Sequence, residues 1–388
     1  MRRTGVFIVG CTGSVGRSVM AVCRLFPEYF EVRALAAKSS AEEVMGLALE
    51  FGSGRVILAD PGAAGKLKKN NPGVEVLAGT GAMEETAAAP DIDHVVIASS
   101  GTGAMGALVT ALRSGKDVSL ANKETIVAAG EWIMPLAARR GQLRPMDSEH
   151  NAIWQCLGDR PLSHVSRIVL TASGGPFRSF TADELKRVTP AMAVSHPVWN
   201  MGAKISVDSS TLMNKGIEIL EAMALFSLPA ERVDAVICPG SFVHGIVELT
   251  DGSFIMSASS PDMRVPCASA LFYPGRSPFP PVPVPELAGQ TVSFHRPDEN
   301  LFPCLALAKE AAMRGGPFPA LLIGADEIAV EFFLNGLIGF TDIPTVVESV
   351  MESWTGSSPK SVDEALSVLE EGKKSAEEIC RQLKNSSR

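Results

Sequence analysis

The sequence predicts an α/β protein in three parts: a doubly wound parallel sheet, an α+β region and a small all-helical C-terminal region. Three observations predict it. Across residues 1–147, short apolar runs alternate with segments of helical period; across 148–272, strand-like runs and helices mix without that alternation; and beyond a proline-rich stretch at 273–299 the chain reads as helix to residue 388. Strands covered on both faces read as continuous apolar runs, and regular strand–helix alternation makes neighbouring strands parallel.

In the first part the apolar runs are GVFIVG, FEVRALAA, RVILAD, HVVIASS and DVSLANKE, with SVGRSVMAVCRLF and GAMGALVTALRSG as helices between them. In the second, SRIVLTAS, RVDAVICPG, HGIVELTDG and SFIMSAS read as a sheet, with helices near 151–157 and 210–226. The stretch YPGRSPFPPVPVPE carries too many prolines for an interior element and reads as an extended linker. Residues 300–388 hold LFPCLALAKEAAMRGG, ADEIAVEFFLNG, DIPTVVESVMESW and SVDEALSVLEEGKKSAEEICRQL, expected as a separate helical domain. No internal repeat is apparent.

Composition narrows the function. A chain of 388 residues with 46% hydrophobic and 20% charged residues is a globular protein of two or three domains. A net charge of −8 without a basic stripe excludes nucleic acid as a partner, and an anionic substrate then needs local cations. Seven cysteines without a C-x-x-C pair read as reduced thiols, not as disulfides or a zinc site. No apolar run is long enough to span a bilayer. The start, MRRTGVFIVG, enters a strand at once and leaves no room for a targeting segment, so a cytoplasmic protein is expected.

The motifs carry the chemistry. In VFIVGCTGSVGRS, Gly10, Gly13 and Gly16 stand between a strand and a helix, where backbone N–H groups can approach a pyrophosphate. This makes the first domain Rossmann-like. NAD sites offer a carboxylate after the second strand for the ribose 2′-hydroxyl. Here Lys38, Ser39 and Ser40 stand there instead, a cation and two hydroxyls that suit the 2′-phosphate of NADPH. LANKE puts Asn122, Lys123 and Glu124 at the end of another strand. PMDSEHNAI then places Asp147 and Glu149 two positions apart. Continued as a strand, the segment turns both carboxylates to one face, where they need a cation between them. Read as a helix start, Asp147 or Ser148 caps a helix from 151 with Glu149 in its first turn. The residues alone allow either. Downstream, Pro197, Trp199 and Gly202 mark a loop, and on the helix after it Asn214, Lys215 and Glu218 share one face. Leu212, Ile219 and Met223 form the opposite, core-facing stripe, so the polar face meets solvent or a site. TASGGPF, with Ser173, is by itself a plain turn.

Taken together, GCTGSVG, LANKE, MDSEHNAI, TASGGPF, HPVWNMGAKISVDSSTLMNKGIE, SPDMRVP and ADEIAVEFFLNGLIGFTDI resemble the 1-deoxy-D-xylulose 5-phosphate reductoisomerase family over essentially the whole chain. The resemblance implies one divalent ion, Mg²⁺ or Mn²⁺, held by Asp147, Glu149 and Glu218, since oxygen-only ligands suit a hard cation. It implies Lys123, Asp147, Glu149, Glu218 and His196 as catalytic residues. Lys123, Ser148 and Glu149 would contact the sugar; Ser173, Ser209, Asn214 and Lys215 would hold its phosphate, with His196 and Trp199 closing over it. For NADPH it implies Thr12, Gly13, Ser14 and Val15 at the pyrophosphate, Lys38, Ser39 and Ser40 at the 2′-phosphate, and Asn122, Glu124 and Gly202 along the rest. The implied reaction is a skeletal rearrangement, by retro-aldol cleavage and rejoining or by a concerted ketol shift. Reduction by NADPH follows, giving 2-C-methyl-D-erythritol 4-phosphate in the non-mevalonate isoprenoid route. A homodimer is expected, as is a flap at 194–204. The chain departs from the family in two places: Lys38 and Ser40 stand where glycine and asparagine are frequent, and Ala203 stands where a basic residue is common, followed by Lys204.

Two other readings compete. Another NADP-dependent Rossmann oxidoreductase acting on a small phosphorylated substrate, such as a semialdehyde dehydrogenase, needs a cysteine beside a base. Cys156 falls within a helix and Cys238 precedes Pro239, neither in such a motif. A protein that binds NADPH without catalysis has no use for three carboxylates around one ion.

Overall fold

The computed structural model describes residues 2–67, 73–195 and 202–386. In chain order the first elements are β1 (Thr4–Val9), α1 (Ser14–Leu25), β2 (Phe30–Ala37), α2 (Ala41–Phe51), β3 (Arg55–Leu58), α3 (Pro61–Leu67), β4 (Glu75–Ala78), α4 (Thr80–Ala88), β5 (His94–Ile97), α5 (Met105–Arg113), β6 (Asp117–Leu120), α6 (Lys123–Ile133), β7 (Leu143–Pro145) and α7 (Ser148–Leu157). There follow β8 (Val165–Ala172), α8 (Ala182–Leu185), α9 (Pro190–Ala193), α10 (Ala203–Ser210), α11 (Met213–Phe226), β9 (Val233–Ile237), β10 (Val243–Leu249), β11 (Phe254–Ala258) and α12 (Arg264–Phe272). The last four are α13 (Pro303–Arg314), α14 (Phe318–Leu334), α15 (Asp342–Ser353) and α16 (Val362–Ser386).

The chain divides into two compact units: Met1–Thr125 with Ile133–Asn151 and Asp262–Pro285, and Ile126–Trp132 with Ala152–Pro261 and Glu286–Arg388. The first unit is built on a parallel sheet of order β4-β3-β2-β1-β5-β6-β7. The order reverses between β1 and β5, the switch point outside whose strand ends ligands bind in open α/β sheets. Val6, Phe7 and Ile8 of central β1 are fully buried, which is why that strand reads as an unbroken apolar run. The sequence reading passed over β4 and left β7 unassigned. Both are edge strands, short and polar (Glu75 in one, Arg144 and Pro145 in the other), so neither has an apolar run.

Helix α12, expected in the second domain, belongs to the first unit. Its Cys267, Ala268 and Leu271 share a core with Val19, Met20 and Cys23 of α1. Arg144 fastens it: the guanidinium is buried, pairs with Asp117, donates to the Ala270 carbonyl at 2.9 Å and lies over the Tyr273 ring.

The second unit carries a four-stranded sheet of order β11-β10-β8-β9, antiparallel except where β8 meets β9. One apolar core joins Ile168, Leu170 and Val247 of this sheet to Ile219 of α11, Leu305 of α13, Leu322 of α14, Val347 of α15 and Leu369 of α16. The C-terminal helices, expected as a domain of their own, therefore complete the α+β part. The packing is close: a Cβ on Gly216 of α11 would stand 2.4 Å from Ala308 Cβ of α13. The stretch expected as a linker at 273–299 contains no helix or full strand, apart from a bridge of His295 to Ile237, and it is shared between the units at 285/286. No helix among the described residues is long and apolar enough to cross a membrane.

Candidate active site

The turn after β1 is shaped by two glycines. Gly10 has φ +85°, and a Cβ there would come within 2.6 Å of the Ser99 nitrogen. A Cβ on Gly16 would lie 2.1 Å from the Gly10 carbonyl oxygen, so the first turn of α1 can close onto the loop only without one. Gly13 caps α1 with no side-chain hydrogen bond. The first N–H groups of the helix, at Ser14 and Val15, have no partner within it and are available to an anion. Thr12 is half-buried beside them. After β2, Lys38, Ser39 and Ser40 are all exposed, and Ser40 caps α2 without using its hydroxyl. The next acids along the chain, Glu42 and Glu43, lie in the first turn of α2, and Glu43 is taken by Arg17 at 2.7 Å.

At the end of β6 the Asn122 side chain is committed internally. Its amide donates to the carbonyls of Ser99 (2.7 Å) and Gly101 (2.6 Å), and its oxygen accepts from the Thr125 N–H (2.9 Å). It stitches the loop after β5 to the start of α6, shaping this edge. Lys123 opens α6, with Glu124 half-buried behind it.

The segment from Asp147 does not continue β7. The strand stops at Pro145 and α7 begins at Ser148, three residues before the expected start at 151. Asp147 caps that helix, its Oδ1 accepting from the N–H groups of Glu149 (3.1 Å) and His150 (3.4 Å). The same oxygen meets His150 Nδ1 at 3.0 Å, while Oδ2 meets Lys123 Nζ at 2.9 Å. Glu149 accepts from the Ser148 hydroxyl at 2.6 Å. The capping reading of this segment therefore holds, and its continuation as a strand does not. The sequence reading passed over His150, whose place three residues after Asp147 on a helix was the available signal.

The helix expected at 210–226 is α11, which starts at Met213, and a second helix, α10, ends just before it at Ser210. Leu212 has φ +62°, left-handed and uncommon for a leucine, and it turns the chain from α10 into α11. The polar face of α11 is not solvated. Glu218 is 1% exposed, accepts from Asn214 Nδ2 at 2.6 Å and pairs with Lys215, itself buried. Within the first unit, Asp147 and Glu149 each offer a carboxylate oxygen, and the two lie within 4.8 Å of each other. At an effective dielectric near 20, two such charges repel by about 4 kcal/mol. Lys123 against these two carboxylates leaves one negative charge over. An all-oxygen set of this charge fits a hard divalent ion and not zinc.

In the same unit as α11, Ser173 follows β8 and accepts from the Gly175 N–H at 3.2 Å. Gly174 and Gly175 have φ of +86° and +68°, and a Cβ on Gly175 would be 2.8 Å from the Ser209 carbonyl oxygen. The diglycine turn therefore lies against the last turn of α10. At the N-terminus of α11 Thr211 Oγ1 accepts from the Met213 N–H at 3.3 Å, and the following N–H groups stand with the Asn214 and Lys215 side chains at the positive end of a helix dipole. Gly202 caps α10 and is exposed. His196 and Trp199 lie outside the described residues, as does most of the expected flap.

All seven cysteines are buried. Burial pushes the Cys11 thiol up to about 12 and the Cys156 thiol up to about 11. Neither offers a thiolate nucleophile near neutral pH.

Family models for 1-deoxy-D-xylulose 5-phosphate reductoisomerase match residues 6–130, and models of its C-terminal domains match 143–226 and 258–375. The chain is 42% identical to the reductoisomerase of Pelotomaculum thermopropionicum over 98% of its own length and 99% of that protein's. It is likewise 42% identical to that of Laribacter hongkongensis, covering 94% of this chain and 96% of the other. Among solved structures it is similar to the Zymomonas mobilis enzyme in complex with NADPH (TM-score 0.91, 36% identity, 98% and 100% coverage). It is also similar to a DOX-P reductoisomerase in complex with NADPH, fosmidomycin and magnesium (TM-score 0.92, 34% identity, 98% and 99% coverage).

Proposed function

The chain belongs to the 1-deoxy-D-xylulose 5-phosphate reductoisomerase family, and we propose how its own side chains carry that family's reaction. It is an NADPH-dependent oxidoreductase that rearranges 1-deoxy-D-xylulose 5-phosphate and reduces the product to 2-C-methyl-D-erythritol 4-phosphate.

Asp147, Glu149 and Glu218 would hold one divalent ion, Mg²⁺ or Mn²⁺. When bound, the ion supplies Lewis acidity to the substrate's keto and hydroxyl oxygens, and NADPH supplies the hydride. Lys123 and His150 hold Asp147 from two sides, so its carboxylate keeps one orientation. Ser148 does the same for Glu149, and both Lys123 and Ser148 would donate to the sugar's oxygens. Ser173, Ser209, Asn214 and Lys215, with the N-terminus of α11, would take the phosphate. In a protein of net charge −8, a dianion needs such a local concentration of donors.

Glu218 lies one helical turn beyond Asn214, about 5–6 Å away on the same face. That spacing suits a short sugar whose phosphate is at one end and whose reacting oxygens are near the other. His196 and Trp199 are proposed, from the family's pattern alone, to close over the substrate. NADPH would lie along the ends of β1 and β2: Thr12, Gly13, Ser14 and Val15 at the pyrophosphate, Lys38, Ser39 and Ser40 at the 2′-phosphate. Asn122, Glu124 and Gly202 would line the remainder, Asn122 through the loop it holds. A cytoplasmic homodimer in the isoprenoid precursor route completes the reading.

The observation that carries the proposal is the pair of carboxylates, Asp147 and Glu149, close enough to share an ion; Glu218 joins them from the family's pattern. The test is NADPH oxidation with 1-deoxy-D-xylulose 5-phosphate before and after chelation, with the product identified. Activity lost to chelator and restored by Mg²⁺ or Mn²⁺ is expected; full activity in chelator would overturn it.

A further inference from the structure

A buried ionic group stands apart from the carboxylates. Lys204, in the first turn of α10, lies 2.7 Å from Asp208 on its own helix and 2.6 Å from Asp326 on α14. The two carboxylates are 4% and 0% exposed, and the lysine is one-third exposed. Local helix energetics do not account for this lysine. A cation in a first turn opposes the helix dipole, and lysine four residues before an acid is the weaker order of the pair. The partner that accounts for it is Asp326, which makes the ammonium a link between α10 and α14. Burial works against the charged lysine, but the two carboxylates outweigh it and raise its pKa. Buried ionic groups add little net stability, and their best-attested use is to fix register.

The register of α10 has a consequence at its other end. Asp208 directly precedes Ser209, whose carbonyl oxygen packs on the diglycine turn after Ser173. Thr211 then closes α10 by donating to the Val207 and Asp208 carbonyls at 3.2 Å, and left-handed Leu212 launches α11 with Asn214 and Lys215. A slip of α10 along α14 would move the first of these donors and tilt the rest. We propose that Lys204 is a positioning residue that sets the phosphate-binding geometry by locking α10 to α14 through Asp326, acting through Ser209. The proposal rests on the reading of Ser209, Asn214 and Lys215 as phosphate ligands.

The test is a double-mutant cycle on the full enzyme with Mg²⁺ present, reading KM for the sugar phosphate, kcat, NADPH affinity by fluorescence, and thermal stability. Ser209→Ala alone is expected to raise KM about tenfold, the usual cost of losing one hydrogen bond to a charged group. Lys204→Met should raise KM by a similar factor with NADPH affinity unchanged, and Lys204→Arg should restore most of it. In the Lys204→Met background Ser209→Ala should add less than about twofold, because residues acting as one unit are not additive. Should Lys204→Met fail to fold, Asp326→Asn, which keeps a hydrogen bond but not the charge, carries the same cycle with a smaller rise in KM. Full additivity, or a folded Lys204 variant with unchanged KM, would overturn the proposal. An unchanged KM in Ser209→Ala alone would instead remove the phosphate reading beneath it, and the proposal with it.

Discussion

The proposed nucleotide edge of the first unit and the proposed phosphate cradle of the second reach their geometry by different means. In the first, each group of candidate residues directly follows a parallel strand: Thr12 to Val15 after β1, Lys38 to Ser40 after β2, Asn122 to Glu124 after β6, Asp147 to Glu149 after β7. A parallel sheet brings all its strand ends to one edge, so local sequence and strand order place these groups together. In the second, Ser173, Ser209 and the Asn214–Lys215–Glu218 face come from a strand end and two helices. A diglycine turn, a left-handed leucine and packing against α13 and α14 assemble them. Topology alone fixes the first arrangement, whereas the second depends on tertiary contacts.

The contrast can be broken most sharply at Glu218. Glu218→Gln should cut turnover on the order of a thousandfold or more, since it would weaken the proposed Lewis-acid site. NADPH affinity, set at the nucleotide edge, should be unchanged by fluorescence titration.

Next in size come paired glycine substitutions, one on each side. Gly175→Ala forces a left-handed residue and a contact of 2.8 Å with the Ser209 carbonyl. It should cost about 1–3 kcal/mol of stability and raise KM for the sugar phosphate alone. Gly16→Ala, with its contact of 2.1 Å to the Gly10 carbonyl, should weaken NADPH and leave sugar-phosphate affinity intact. Thermal melts and separate titrations of the two ligands check both.

A pH series sharpens the comparison through His94, which is buried in β5 and bonded to Ser119 at 2.8 Å. Burial, then the Arg144 and Arg139 guanidinium groups, hold it well below its ordinary 6.5. The folded chain keeps His94 neutral while the unfolded chain takes up a proton below that value. Stability is therefore fully present above pH 6.5 and falls on acidification, at up to about 1.4 kcal/mol per pH unit. Unfolding midpoints between pH 7 and 5 should drop, and His94→Gln should flatten that part of the slope.

Lys38→Glu is the mildest change. An exposed lysine facing a phosphate contributes modestly, so the apparent KM for NADPH should rise about tenfold, narrowing the preference over NADH. Kinetics with both nucleotides, and an unaltered KM for the sugar phosphate, would place the effect at the nucleotide edge.

What was legible beforehand follows the same division. Fully buried central strands such as β1 announce themselves as apolar runs, and Gly10 and Gly16 stand where only glycine fits. The edge strands β4 and β7 do not, because each is only three or four residues long and carries mixed residues. The break at Leu212 was invisible, since an aliphatic residue in a left-handed turn has no sequence signature and is imposed by packing. The C-terminal helices looked autonomous because their apolar stripes are strong. Only the fold reveals that Leu305 and Leu322 share a core with β8. Asp147 was read either as a cap or as a ligand; helix geometry lets one carboxylate accept backbone N–H groups at one oxygen and face Lys123 with the other.

The central claim is that Asp147, Glu149 and Glu218 jointly hold a single divalent ion. Electron paramagnetic resonance of Mn²⁺ titrated into the metal-free protein tests it without relying on turnover. The account predicts one tightly bound ion per chain, displaced by Mg²⁺, with affinity reduced on the order of 100-fold in each of Asp147→Asn, Glu149→Gln and Glu218→Gln while the proteins stay folded. Stoichiometric binding of undiminished affinity in any one of these variants would contradict it.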